Sequence, residues 1–180
     1  GIPYWDLAES QTAGYPKYYN SIMASGDESD GLYKKQRLVP FGEYIPLSGW
    51  LSWVLPGLQN DPSMSGFTRG TDHQEPLNVK SHPLGSAICY EVAYPNLTRR
   101  NASQSDFLVT VSNDAWFTGT AGPLQHLQMV QMRAKENGRW FIRATNTGVT
   151  AFIDHNGHIV KKAPMDQEAV LRGELPAMQG

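Results

Sequence analysis

Cys89 is the single cysteine of this chain of 180 residues, and it stands in the stretch GSAICYEVAYP, Gly85 to Pro95, between an apolar run and a charged residue. One thiol makes neither an internal disulfide nor a multi-cysteine metal site. Free cysteine often packs as a small buried hydrophobe. It attacks only as the thiolate, and with an ordinary pKa of about 8.5 it is mostly protonated at neutral pH, so a reactive Cys89 needs a base or a positive neighbour. The histidines are His73, His82, His126, His155 and His158. His155 and His158 flank a hairpin turn, and His73 and His82 fall in polar loops. His126, near the start of an amphipathic helix, is the serious candidate among them, with capping or packing as its alternative. Lys34 to Glu43, KKQRLVPFGE, offers a different partner. A lysine running into the apolar Leu38 to Phe41 turn is partly desolvated and can stabilise a thiolate or a developing oxyanion, whereas the ordinary reading of two strand-end lysines is a solvated face.

The elements that must position these groups read as one α/β domain, or a large part of one. Apolar residues make up 40% of the sequence, charged residues 18%, and the formal net charge is −2, so no basic excess points to nucleic acid. No apolar run reaches the roughly 18 residues needed to span a bilayer, and no signal peptide is visible. Strands are predicted over 18–24, 32–38, 85–92, 106–112, 140–145, 149–153 and 158–161, with a last strand over 168–175. Short helical character falls over 96–103. An amphipathic helix starts near Pro123, follows Leu124, Leu127, Val130 and Ala134, and ends or breaks at Gly138. Buried strands alternating with helices require cover on both faces of a mixed sheet. Residues 41–70 are punctuated by Pro and Gly yet carry Trp50, Leu51, Trp53, Val54 and Leu55, too apolar for simple disorder.

Three segments taken together resemble the nitrilase superfamily of carbon-nitrogen hydrolases. Lys35 to Glu43, Ile88 to Glu91 (ICYE) and Ser112 to Phe117 (SNDAWF) stand in that superfamily's order and spacing. ICYEVAYP, VSNDAWF, GPLQHLQMVQMRA, RATNTGVTAFID and LPAMQG are similar to its apolipoprotein N-acyltransferase branch. The resemblance implies an α-β-β-α sandwich, present here as an incomplete domain, with a lid or arm at about 41–70. Carried over position by position, Cys89 is the nucleophile, Lys35 the catalytic lysine and Glu43 the glutamate that supports it. The Tyr90 N–H and the Lys35 ammonium form the oxyanion site, and Glu91, Asn113 and Trp116 shape the pocket. Each has a plainer alternative: Glu43 as a turn residue, Asn113 and Asp114 as a strand-end cap.

The resemblance further implies that the general-base glutamate and the membrane helices lie outside these residues. It implies two-step acyl transfer from a phospholipid, through a Cys89 thioester, to the N-terminal amine of a diacylglyceryl apolipoprotein, without metal or cofactor. The place is the periplasmic side of a bacterial inner membrane, with Trp50, Leu51, Trp53, Val54 and Leu55 facing lipid, and this segment is inactive alone. A soluble amidase of the same superfamily, acting on a small amide, is the alternative. Thr118, Thr120, Arg37 and Thr147 depart from the branch's usual residues and bear on loop geometry and fine specificity.

Overall fold

The computed structural model describes residues 1–40, 42–44, 66–117, 119–165 and 167–176. Two sheets carry the described chain. The smaller is antiparallel, in the order β1 (Ile2–Trp5), β2 (Tyr18–Met23), β4 (Leu32–Lys34). The larger runs β10 (Ile159–Lys162), β9 (Ala151–Ile153), β8 (Trp140–Thr145), β7 (Phe107–Ser112), β6 (His82–Ile88), β5 (Leu77–Val79), β3 (Ser29–Asp30). Its central strands β6, β7 and β8 are parallel. Parallel neighbours need crossovers, and the helices α2 (Pro95–Ala102) and α3 (Gly122–Asn137) supply them.

The continuous apolar runs of the central strands follow from burial on both faces. On one face Ala87, Leu108, Phe141 and Ile153 pack with Leu127, Val130 and Ala134 of α3. On the other, Leu77, Ile88 and Val111 meet Ile22 and Tyr33 of the smaller sheet. Consecutive residues Ala87 and Ile88 thus enter different cores, as strand alternation requires. Helix α3 takes Pro123 in its first turn and ends at Gly138, whose left-handed φ of 60° lets its N–H return to the carbonyls of Ala134 and Lys135. The expected α/β architecture is therefore present, with two helices over one face of the larger sheet.

Several predicted boundaries shift. The strand expected over 32–38 stops at Lys34, because the N–H groups of Gln36 and Arg37 donate to the Glu91 carboxylate instead of to a neighbouring strand. The strand expected over 85–92 stops at Ile88, where Cys89 turns left-handed. Residues 168–175 form no strand and are mostly exposed, so that expectation is corrected. The opening residues, which carry only weak sequence signals, hold β1 and α1 (Leu7–Ala13), the latter capped by the Asp6 side chain and burying none of its residues.

Candidate active site

Cys89 follows the last residue of β6, Asp114 lies just past the end of β7, and Arg143 and Asn146 stand at the end of β8. The chemistry-bearing residues thus collect at the carboxyl ends of parallel strands, where open α/β sheets form their sites. Cys89 has φ +52° and opens the 3-10 turn Cys89–Ala93 that leads into α2. A left-handed non-glycine residue costs roughly 1–2 kcal/mol, so surrounding contacts must hold it there. The first N–H groups of such a turn have no acceptor within it, which leaves the Tyr90 N–H available for an external oxygen.

Glu91 is fully buried and ties the two halves of the site together. Its Oε1 accepts from the N–H of Gln36 at 2.6 Å and of Arg37 at 2.9 Å. Its Oε2 accepts from the Ile88 N–H at 2.7 Å and the Tyr33 hydroxyl at 3.0 Å. One carboxylate therefore pins the residue after Lys35 to the residue before Cys89. Burial pushes its pKa above the ordinary range, while the three backbone donors and Tyr33 pull the other way. With four donors already on its two oxygens, Glu91 acts as a strut.

Lys35 is 1% exposed, and its ammonium meets Glu43 Oε1 at 2.7 Å. The same oxygen accepts from Asn20 Nδ2 at 2.9 Å, and Oε2 accepts from the Val39 N–H at 2.8 Å. A buried ammonium needs this pairing, since an unpaired one would cost several kcal/mol. The backbone around Lys35 is fixed on both sides: its N–H donates to the Asn20 carbonyl, and its carbonyl accepts from Gly70, both at 2.8 Å. Close by, the Phe67 N–H donates to the Glu43 carbonyl at 2.9 Å, and Thr68 N–H to the Tyr18 carbonyl at 2.6 Å. Both ends of the segment 45–65 are therefore anchored beside Glu43. Trp50, Leu51, Trp53, Val54 and Leu55 lie outside the described residues.

A second buried ionic group sits behind Cys89. Asp114 and Arg143 are both fully buried, with Arg143 Nη2 donating to Asp114 Oδ2 at 2.6 Å and Nε to the Val149 carbonyl at 3.1 Å. His126 is 7% exposed; its Nδ1 lies 3.1 Å from Asp114 Oδ1 and 3.3 Å from Arg143 Nη2, and its Nε2 lies 3.0 Å from the Cys89 carbonyl oxygen. Ser112 also donates to Asp114 Oδ1. Burial raises the Asp114 pKa, but His126, Ser112 and Arg143 outweigh it and hold the carboxyl below its ordinary value. Gly148 closes the group: a Cβ there would collide with Asp114 Oδ2.

Asn113 is exposed, and its Oδ1 accepts from the Ala115 N–H at 3.2 Å and from Asn146 Nδ2 at 2.6 Å, which shapes the turn after β7. Trp116 is 78% exposed and Tyr90 42%. The sequence pattern offers Asp114 as a strand-end cap and gives Arg143 no role. The available signal was an arginine inside the apolar strand WFIRAT, because arginine is almost never fully buried without a partner.

A left-handed cysteine at a parallel strand end is joined through the buried Glu91 to the segment of a buried lysine that is paired with its own glutamate. The chain belongs to the carbon-nitrogen hydrolase family, whose model matches residues 2–179. The apolipoprotein N-acyltransferase of Pseudomonas aeruginosa (strain LESB58) is 49% identical over 180 residues, all of this chain and 34% of that relative. The apolipoprotein N-acyltransferase of Pseudomonas putida is 53% identical over 163 residues, 91% of this chain and 32% of the relative. The chain thus spans about a third of the length of these curated relatives. The crystal structure of a carbon-nitrogen hydrolase from Helicobacter pylori G27 shares the fold, with TM-score 0.62 and 19% identity over 84% of this chain and 55% of that one.

Proposed function

We propose that these residues carry the acyl-transfer centre of an apolipoprotein N-acyltransferase, with Cys89 as nucleophile. The observation that carries the reading is the single Glu91 carboxylate that holds the Lys35 and Cys89 segments together, in a chain 49% identical to a relative of that name. The Cys89 thiolate adds to the ester carbonyl of a phospholipid. The tetrahedral oxyanion is met by the Lys35 ammonium and the Tyr90 N–H, and collapse releases a lysophospholipid, which takes a proton, leaving a thioester. The N-terminal amine of a diacylglyceryl-cysteine apolipoprotein then attacks the thioester, loses a proton, and departs as the amide while the thiolate is regenerated.

A base must take the thiol proton and later the amine proton. Glu91 is saturated by four donors, and Glu43 already accepts from Lys35, Asn20 and Val39. The resemblance assigns the base, like the membrane helices, to residues of the enzyme other than these; among the described residues no helix is long and apolar enough to cross a membrane. Exposed Tyr90, Trp116, Phe117 and Leu124, on and after the turns that follow β6 and β7, support an apolar mouth, which this reading assigns to lipid on the periplasmic side of an inner membrane. Trp50, Leu51, Trp53, Val54 and Leu55 are assigned to the same mouth.

The test joins this chain to the remainder of the Pseudomonas aeruginosa relative, incubates the protein with labelled phospholipid, and maps adducts by mass spectrometry. An acyl thioester on Cys89, absent in Cys89→Ala, is the expected result. No adduct sinks the reading, and turnover of small amides without an adduct favours an amidase.

A further inference from the structure

We propose that His126, held by the Asp114–Arg143 pair, is a positioning residue that clamps the Cys89 carbonyl and so fixes the left-handed turn presenting the thiol. The inference rests on Cys89 being the nucleophile. A carbonyl oxygen only accepts, so His126 Nε2 carries the proton and donates to it at 3.0 Å. The other ring nitrogen, unprotonated in that tautomer, accepts from Arg143 Nη2 at 3.3 Å, and Asp114 Oδ1 lies 3.1 Å from it. Asp114 is itself oriented by Ser112, by Arg143, and by its own N–H donating to Asn146 Oδ1 at 3.1 Å. The histidine is thus immobilised from behind and bonded in front to one backbone atom.

That atom belongs to the residue with φ +52°. Rotation of the 89–90 peptide carries the Cys89 carbonyl and the Tyr90 N–H together, because they share one plane. Holding the carbonyl toward His126 therefore aims the Tyr90 N–H the opposite way, to the side the oxyanion needs. The buried group carries a feature that packing alone does not require: Arg143 Nη1 is buried without a hydrogen-bond partner among the described residues. A hydrocarbon layer would fill this space at less desolvation cost, so the retained charges point to a task at the nucleophile.

The experiment compares His126→Leu, which removes the donor, with His126→Gln, whose amide can still donate, in the full-length enzyme. Three readouts are taken: the second-order rate of Cys89 alkylation by iodoacetamide, kcat and KM separately, and the denaturation midpoint. Loss of alignment by about an ångström costs on the order of a hundredfold, so His126→Leu is expected to lower kcat by about tenfold to a hundredfold with KM nearly unchanged. Alkylation is expected to slow in parallel, and His126→Gln to recover most of both. Equal behaviour of the two variants, or a loss that tracks only the unfolded fraction, overturns the proposal. If His126→Leu does not fold, His126→Asn, whose shorter amide does not reach the carbonyl, takes its place. If phospholipid yields no thioester while Cys89 still alkylates, the acyl-transfer reading fails and the clamp is judged on alkylation alone.

Discussion

Lys34 and Lys35 are neighbours in the chain and opposites in the molecule. Lys34 ends β4 on the outer side of the smaller sheet, where its ammonium lies 2.8 Å from both Asp6 and Glu9 and 4.2 Å from the centre of the Tyr19 ring. Lys35, one residue on, takes the side of the buried Tyr33 and meets Glu43. Burial works to lower the Lys34 pKa, and the hydrogen bonds to Asp6 and Glu9 outweigh it and leave it raised. The strand period of two explains the opposite directions. What differs is the surroundings: Lys34 fastens α1 to a sheet edge at the surface, whereas Lys35 is buried, paired with Glu43, and next in the chain to Gln36, which Glu91 ties to Ile88.

The contrast is broken most directly by substituting each lysine. Lys35→Met is expected to slow thioester formation by about a thousandfold, as loss of an oxyanion donor does, while Lys34→Met changes it by no more than about threefold; single-turnover mass spectrometry reads both. Glu43→Gln leaves the Lys35 ammonium buried without its counter-charge. It should lower stability by about 3 kcal/mol in chemical denaturation, on the scale of breaking a buried ion pair. Glu91→Gln replaces a carboxylate serving four donors with an amide that can serve only some of them, at about 2 kcal/mol in the same measurement.

The smallest effect is acidic. The Asp6 pKa is lowered by the Glu9 backbone N–H and by Lys34, and that of Glu9 by Lys34 and Tyr19. Their stabilisation is therefore fully present above the ordinary carboxylate values of about 4 and is lost as pH falls through the lower folded values. Lys34→Met should flatten that acid limb of the stability profile without touching the rate of thioester formation.

Much of this site was legible because strand and helix periods are local. The strand 140–145 and helix α3 with Pro123 and Gly138 follow from residues near one another in sequence, whereas Lys35, Glu43 and Cys89 were legible through the resemblance of their three motifs. The shortened strand after Lys34 was not legible, since its cause is a carboxylate 55 residues away in the chain. Helix α1 hides because it buries no residue and so carries no apolar stripe. His126 could not be assigned by spacing, because its partners come from three other elements: the turn at Cys89, the end of β7 and β8.

The pinning of Phe67, Thr68 and Gly70 to Glu43, Tyr18 and Lys35 fixes the described residues on either side of the stretch between positions 45 and 65. With both ends fixed, doubling its length costs only about 0.6 kcal/mol of closure entropy. The contacts that set Lys35 and Glu43 stay on the fixed side of that junction.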